Sequence, residues 1–131
     1  MADKERVLVV DDNAMSRELA HDLLEDAGYD VRDAATTQEA ITALSDFSPH
    51  VVLLDWHLKG ATGGDVLKAI REPAAAAPSV RVLVVTADIR LELREAALTA
   101  GADDVITKPY RASVLEAAVA GALAAGSREG V

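Results

Sequence analysis

The chain alternates short apolar runs with longer segments in which apolar residues recur every three or four positions. Apolar runs of this length are typical of strands buried on both faces, and the periodic segments between them are typical of amphipathic helices. Strands are predicted at residues 5–10, 29–34, 51–54, 80–85 and 104–107. Helices are predicted over residues 14–27, after a capping box at 36–39, around 66–70, and over 89–100 and 112–125.

Repeated strand–helix alternation with short connections predicts right-handed crossovers and one parallel sheet with helices on both faces. We therefore predict a single α/β domain over residues 1–125, with residues 126–131 as a frayed C-terminal tail.

Two helix faces are predicted to pack on the sheet through apolar residues at helical spacing. These are Met15, Leu19 and Leu23 in the first helix, and Ala40, Ile41 and Leu44 in the second.

The composition agrees with this architecture and argues against nucleic-acid binding and membrane insertion. Half of the residues are apolar but only 3% are aromatic, as expected of a Val-rich sheet covered by Ala- and Leu-rich helices. Thirteen basic and 22 acidic residues give a net charge of −9, which repels nucleic acid and predicts no direct nucleic-acid partner. No apolar stretch is long enough to span a membrane, and residues 1–6 are too charged for a signal peptide, so a cytoplasmic location is expected.

Polar residues follow four of the five predicted strands at the point where each apolar run ends. They are Asp11 and Asp12, Asp55, Thr86, and Lys108 with Pro109. Because the carboxyl ends of parallel strands share one edge of a sheet, these residues are expected to meet in one crevice. Three carboxylates, a hydroxyl and an ammonium in one pocket indicate magnesium-dependent phosphoryl chemistry.

Each of these residues also has a simpler structural interpretation. Asp11 and Asp12 are suited to capping a helix, Lys108 to a solvated surface, and Thr86 to the end of a strand. Close carboxylates, however, repel by about 1–4 kcal/mol per pair, which a hard divalent cation relieves. Asp55 is the candidate nucleophile because it ends the central strand, and Lys-Pro after a strand can aim the ammonium into the crevice, with a cis bond before Pro109.

Taken together, residues 5–125 resemble the receiver domain of two-component response regulators. The resemblance depends on an ordered set of motifs: Leu8-Val9-Val10-Asp11-Asp12-Asn13, Leu53-Leu54-Asp55 with Gly63 further on, Thr86-Ala87, and Gly101-Ala102 leading to Lys108-Pro109. Each motif is weak alone and the set is specific. The resemblance implies a flavodoxin-like, doubly wound five-stranded parallel sheet of order 2-1-3-4-5.

The resemblance also implies roles for the strand-end residues. Asp55 would accept a phosphoryl group from a phosphohistidine of a sensor histidine kinase or a histidine phosphotransfer protein. Mg²⁺ would be held by Asp12, Asp55 and the backbone carbonyl of His57, with Asp11 helping directly or through water. Lys108 would pair with the acceptor or its phosphate.

The same resemblance implies a switch between two states. Thr86 would move toward the phosphate and shift the surface formed by the fourth helix, fifth strand and fifth helix. A homodimer would form through the same surface.

Three positions depart from the family pattern. Val105 replaces a frequent aromatic residue, Lys59 replaces a frequent proline and is expected to supply surface charge, and His57 follows the acceptor with a side chain expected to face solvent. Trp56 is expected to cover the site.

Two other functions remain compatible with the sequence. A pseudo-receiver or scaffold would bind partners without phosphorylation, and failure to bind metal would favour it. A phosphohydrolase with an aspartate nucleophile would need a second aspartate two positions after Asp55, where His57 stands. The leading hypothesis is a phosphoacceptor switch that is not an enzyme with a separate substrate, although it catalyses its own phosphorylation and dephosphorylation.

Overall fold

The computed structural model describes residues 4–58, 61–72, 74–75 and 79–125. A five-stranded parallel sheet forms its centre, with the order β2-β1-β3-β4-β5 along the sheet. The strands are β1 (Arg6–Val10), β2 (Asp30–Ala34), β3 (Val51–Asp55), β4 (Arg81–Thr86) and β5 (Asp104–Thr107). The helices are α1 (Ala14–Asp26), α2 (Thr37–Asp46), α3 (Gly63–Arg71), α4 (Leu91–Ala100) and α5 (Ala112–Ala125). The predicted α/β fold class and strand order are confirmed.

Two layers of apolar side chains cover the two faces of the sheet. Alternate strand residues such as Leu8 and Leu54 face α2, α3 and α4, whereas their neighbours Val9 and Leu53 face α1 and α5. This division follows from the two-residue period of a strand, which sends successive side chains to opposite faces. The apolar runs at residues 7–10, 51–54 and 82–85 are buried at every position, which identifies β1, β3 and β4 as the interior of the sheet.

The structure corrects the predicted inner face of two helices. In α1, Met15 and Leu19 are 82% and 54% exposed, whereas Ala20 and Leu24 are buried against the sheet. Leu23, the third predicted residue, is partly buried and packs against the core. In α2, Ile41 is also exposed, although the predicted core residues beside it are buried. Both apolar stripes of α1 have helical spacing, and only the packing of the helix on the sheet selects between them.

Other local differences from the prediction are small. The Gly-rich segment after β3 contains a short antiparallel pairing of residues 57–58 with 61–62 that the sequence did not predict. α4 begins at Leu91, two residues later than predicted, because the preceding residues form a separate hydrogen-bonded turn. Lys59, residues 73 and 76–78 between α3 and β4, and the predicted tail at 126–131 lie outside the described residues. Within the described ranges, no helix is both long and apolar enough to cross a membrane.

His21 joins α1 to the edge strand β2 and makes the fold sensitive to pH. Its Nδ1 lies 2.7 Å from an oxygen of Asp33 and its Nε2 lies 3.2 Å from Glu25. The hydrogen bond with Asp33 raises the pKa of His21, and both carboxylates favour the charged ring. A raised pKa in the folded state stabilises the protein fully below the unfolded pKa, and this stabilisation disappears as pH rises through the folded pKa.

We therefore expect the His21→Gln variant to be less stable than the wild type by about 0.5–1 kcal/mol near pH 5.5, the size usual for partly exposed ion pairs. The difference should shrink toward pH 8.5. Chemical denaturation at several pH values gives the unfolding free energy of each protein as a function of pH. The difference between the wild-type and variant curves isolates the contribution of His21, because the other titrating groups are common to both proteins. A difference that is constant or grows with pH would contradict this role of His21.

Candidate functional site

The four strand ends bring the predicted polar residues together at the carboxyl edge of the sheet. Asp11 and Asp12 directly follow β1, and Asp55 and Thr86 are the last residues of β3 and β4. Lys108 directly follows β5. The crevice expected from sequence is thus formed by neighbouring strands, because β1, β3, β4 and β5 are adjacent in the sheet.

Asp11, Asp12 and Asp55 form a carboxylate cluster. One oxygen from each lies within 4.8 Å of the others, and the residues Asp11 and Asp55 are only 5% and 9% exposed. Two of the carboxylates are oriented by backbone amides: the Asn13 N–H donates to Asp11 Oδ1 at 2.9 Å, and the His57 N–H donates to Asp55 Oδ1 at 3.0 Å. An oxygen-only group of this kind suits a hard cation such as Mg²⁺.

Lys108 faces this cluster from the other side of the crevice. Its Nζ lies 3.3 Å from Asp11 Oδ2 and 3.3 Å from Asp55 Oδ2. The Lys108 N–H donates to the carbonyl of Thr86 at 2.7 Å, and the Lys108–Pro109 bond is cis, as the sequence predicts. The ammonium is thus held close to both buried carboxylates and neutralises part of their charge.

The pKa values of Asp11 and Lys108 reflect opposing effects of burial and of neighbouring charges. Burial raises the pKa of Asp11 and the Asp55 carboxylate raises it further, whereas the Asn13 amide and Lys108 oppose this rise. Burial acts to lower the pKa of Lys108, but the charges of Asp55 and Asp11 outweigh it and the pKa is raised. The carboxylate cluster therefore carries excess negative charge that a single ammonium does not fully compensate.

Thr86 ends β4, the strand next to the acceptor strand β3, and its hydroxyl contacts the following loop. The residue is 1% exposed, and its Oγ1 accepts a hydrogen bond from the Asp88 N–H at 3.0 Å. No hydrogen bond joins Thr86 to Asp55 among the described residues. The hydroxyl oxygen is therefore bound by the loop and not by the acceptor carboxylate.

The two residues that follow Asp55 differ in their environment. His57 has an exposed side chain, while its amide holds the Asp55 carboxylate. Trp56 does not cover the site as expected; it packs against the core beneath the start of α3. The sequence placed the indole beside the acceptor correctly but could not show to which side it turns.

Gly63 allows α3 to approach the acceptor strand closely. Its N–H donates to the carbonyl of Trp56 at 2.6 Å, and a Cβ at this position would lie 2.7 Å from Trp56 Cα and 3.1 Å from the Asp55 carbonyl oxygen. These neighbours are backbone atoms, which cannot rotate away. A side chain at position 63 would therefore displace either α3 or the Asp55–Trp56 segment.

The Gly63→Ala variant is expected to lose about 1–3 kcal/mol of unfolding free energy, the usual range for overpacking. Gly64→Ala, at the next position of α3, is the matched control, because the atoms nearest to a Cβ there belong to the side chains of Thr62 and Trp56, at 3.3 Å or more. Denaturant unfolding of both variants measures the difference. Equal stability of the two variants would show that the close approach at Gly63 is not required.

Arg17 is a site residue that the sequence interpretation missed. Its Nη1 donates to the carbonyl of Asp11 at 2.9 Å and so holds the peptide between the two acidic residues. A cation near a helix N-terminus opposes the helix dipole, which is unfavourable unless an anion or carbonyl lies nearby. An arginine in the first turns of a helix that follows an acidic pair therefore indicates a contact with that pair, and this pattern could have identified Arg17 from the sequence.

Comparison with known proteins agrees with this geometry. The family model of the response regulator receiver domain matches residues 7–120. The phosphate regulon transcriptional regulatory protein PhoB of Pseudomonas aeruginosa is 35% identical over 104 residues, covering 79% of this chain and 45% of PhoB. The chain spans about half the length of the curated relatives it matches.

Solved structures with the same fold include a chemotaxis protein and a receiver domain. The chemotaxis protein CheY4 of Vibrio cholerae has a TM-score of 0.86 and 26% identity, covering 92% of this chain and 99% of CheY4. The receiver domain of NtrX from Brucella abortus has a TM-score of 0.83 and 32% identity, covering 90% and 98%. Fold and acidic crevice define a signalling domain of the receiver class. The chain belongs to the response regulator receiver domain family of two-component systems.

Proposed function

We propose that this domain is a phosphorylation-activated switch that accepts a phosphoryl group on Asp55 from a phosphohistidine. The donor is a sensor histidine kinase or a histidine phosphotransfer protein. The observation that carries the proposal is the crevice itself, where buried Asp55 and Asp11, partly buried Asp12 and the ammonium of Lys108 converge. Burying carboxylates close together is costly unless cations compensate their charge, which Lys108 does only in part.

The residues present fit a resident Mg²⁺. Asp12, Asp55 and the backbone carbonyl of His57 would be its protein ligands, and Asp11 would contribute directly or through water. The three carboxylates offer oxygen atoms only, which matches the preference of this ion. Bound there, Mg²⁺ would neutralise charge on the transferring phosphoryl group.

Phosphoryl transfer follows from the placement of the acceptor and its neighbours. A carboxylate oxygen of Asp55 forms the new O–P bond while the P–N bond to the donor imidazole breaks, and the electron pair of that bond returns to the ring nitrogen. Lys108 is placed to shift from the carboxylate to a phosphoryl oxygen, and Thr86 to donate its hydroxyl to another. In the return step, water attacks phosphorus and releases inorganic phosphate and the free Asp55.

Exposed apolar side chains in the segments that follow the crevice residues support a protein donor. Met15 and Leu19 on α1 and Ile89 before α4 are exposed large hydrophobic residues, a few positions after Asp12 and Thr86 in sequence. A donor protein that brings its phosphohistidine to nearly buried Asp55 would approach these segments, and exposed apolar side chains favour such contact.

The proposal includes a cytoplasmic location, no direct nucleic-acid contact by this domain, and a homodimer through α4, β5 and α5 as a further mode of association.

The proposal predicts magnesium-dependent modification by a small phosphodonor. Incubation with acetyl phosphate and Mg²⁺ is expected to add about 80 daltons, the mass of one phosphoryl group, as an acid-labile adduct. Chelation of Mg²⁺ should suppress the adduct, which intact-protein mass spectrometry measures. If neither the adduct nor Mg²⁺ binding is detected, the chain functions as a pseudo-receiver that binds partners without phosphorylation.

A further inference from the structure

The loop after β4 links the hydroxyl of Thr86 to the first turn of α4 through an unbroken series of hydrogen bonds. The first bond is the one from the Asp88 N–H to Thr86 Oγ1, 3.0 Å long. Since Thr86 is buried and its Oγ1 accepts from this amide, the position of residue 88 depends on the direction of the threonine side chain.

The second part of the series is a clamp between Asp88 and Arg90. Asp88 Oδ1 accepts from the Arg90 backbone N–H at 3.0 Å and from Arg90 Nε at 2.9 Å, and Oδ2 accepts from Nη2 at 2.6 Å. Charge-assisted hydrogen bonds with this bidentate geometry are directional as well as strong. Arg90 directly precedes α4, so this clamp fixes the point where the helix begins.

The opposite end of α4 is anchored independently of this loop. Arg71 donates to the carbonyl of Gly101 through Nε at 3.1 Å and Nη2 at 2.8 Å, and it also pairs with Asp103. A helix held at its C-terminus responds to a change in its N-terminal loop mainly at its first turns. Val105 on β5 lacks the aromatic ring that would offer a second connection from Thr86 toward α5.

We infer that Asp88, clamped by Arg90, is a positioning residue that fixes the Thr86 hydroxyl and couples its direction to the start of α4. The inference rests on the proposed function, because the signal is the arrival of a phosphoryl group on Asp55. When the Thr86 hydroxyl turns toward a phosphoryl oxygen, its hydrogen bond with the Asp88 amide changes, and the clamp transmits this change to Arg90. The response is concentrated in α4, whereas α5 changes little.

Hydrogen exchange with beryllofluoride and Mg²⁺ as the probe tests the coupling. Wild type, Asp88→Ala, Asp88→Asn and Arg94→Gln are compared with and without the probe. Arg94 is the matched control because it lies on the same helix and pairs with Asp104 instead of the clamp. Binding of the probe is measured separately by ¹⁹F NMR, which reports on the acceptor site and not on α4.

The wild type is expected to show an exchange difference in residues 91–100 that Asp88→Ala loses for the most part, with probe binding retained. Asp88→Asn keeps an oxygen acceptor for the Arg90 amide and should preserve more of the difference, and Arg94→Gln should preserve all of it. An unchanged α4 response in Asp88→Ala, with the probe bound, would overturn the inference alone. If the probe fails to bind the wild type, the proposed function fails and the inference falls with it.

Discussion

Replacing Asp55 with Asn is expected to abolish phosphorylation completely while leaving the domain folded. The amide has almost the same shape as the carboxylate, and its oxygen can still accept the bond from the His57 N–H. It lacks the anionic oxygen that attacks phosphorus, and one of the two carboxylate partners of Lys108 is lost. The measurement is the mass of the intact protein after treatment with acetyl phosphate and Mg²⁺, together with its thermal unfolding.

A second aspartate provides the control for this experiment. Asp65 lies in the first turn of α3, where its Oδ2 accepts from the Thr62 N–H in a capping box. Asp65→Asn removes one negative charge near the acceptor loop without touching the crevice, so the adduct should form as in the wild type. Should Asp55→Asn still gain the adduct, the phosphoacceptor is a different residue and the proposed assignment is wrong.

Replacing Lys108 with Met is expected to destabilise the protein by about 2 kcal/mol at neutral pH without Mg²⁺. This value lies between those typical of exposed and of fully buried ion pairs, because the lysine side chain is about one quarter exposed. The variant leaves Asp11 and Asp55 without their ammonium partner, and burial of an uncompensated charge accounts for most of the effect. Denaturant unfolding with and without Mg²⁺ measures the loss.

The pH dependence of this variant has a definite sign. The pKa of Asp11 is already raised in the folded wild type by burial and by Asp55, and loss of Lys108 raises it further. A carboxyl with a raised pKa binds more protons folded than unfolded, so stability falls as pH rises from the unfolded value near 3.8 through the folded pKa. The deficit of Lys108→Met should therefore shrink in acid, and Mg²⁺ should also reduce it.

Lys68→Met provides the matched control, because Lys68 is exposed on α3. It removes the same charge from the chain and should change the unfolding free energy by less than about 0.5 kcal/mol, with no dependence on Mg²⁺. A Lys108→Met deficit that is insensitive to both acid and Mg²⁺ would mean that its contribution comes from packing and not from charge.

The carboxylate cluster also determines how ligands act on the stability of the resting fold. Two buried carboxylates and a third nearby carry excess negative charge, which a bound cation would relieve. Ligands that bind only the folded state stabilise it by mass action. Such a ligand would act at the strand ends and not in the core, because β1, β3 and β4 are packed on both faces of the sheet.

The sheet, its helices and the residues of the crevice can be predicted from the sequence. Continuous apolar runs reveal strands buried on both faces, and the polar residue that ends each run must lie at the shared carboxyl edge of a parallel sheet. Asp11, Asp55 and Lys108 therefore became candidates for one site before any distance was known. The resemblance to receiver domains added the strand order, which periodicity cannot supply.

The choice among equivalent local patterns depends instead on how the elements pack together. The stripe with Met15 and Leu19 and the stripe with Ala20 and Leu24 both satisfy helical spacing, and packing against the sheet buried the second and exposed the first. The turn of Trp56 toward the core likewise depends on contacts between segments that are not adjacent in sequence. Local sequence fixes the period of a pattern, whereas the choice among faces and side-chain partners requires the positions of the other elements.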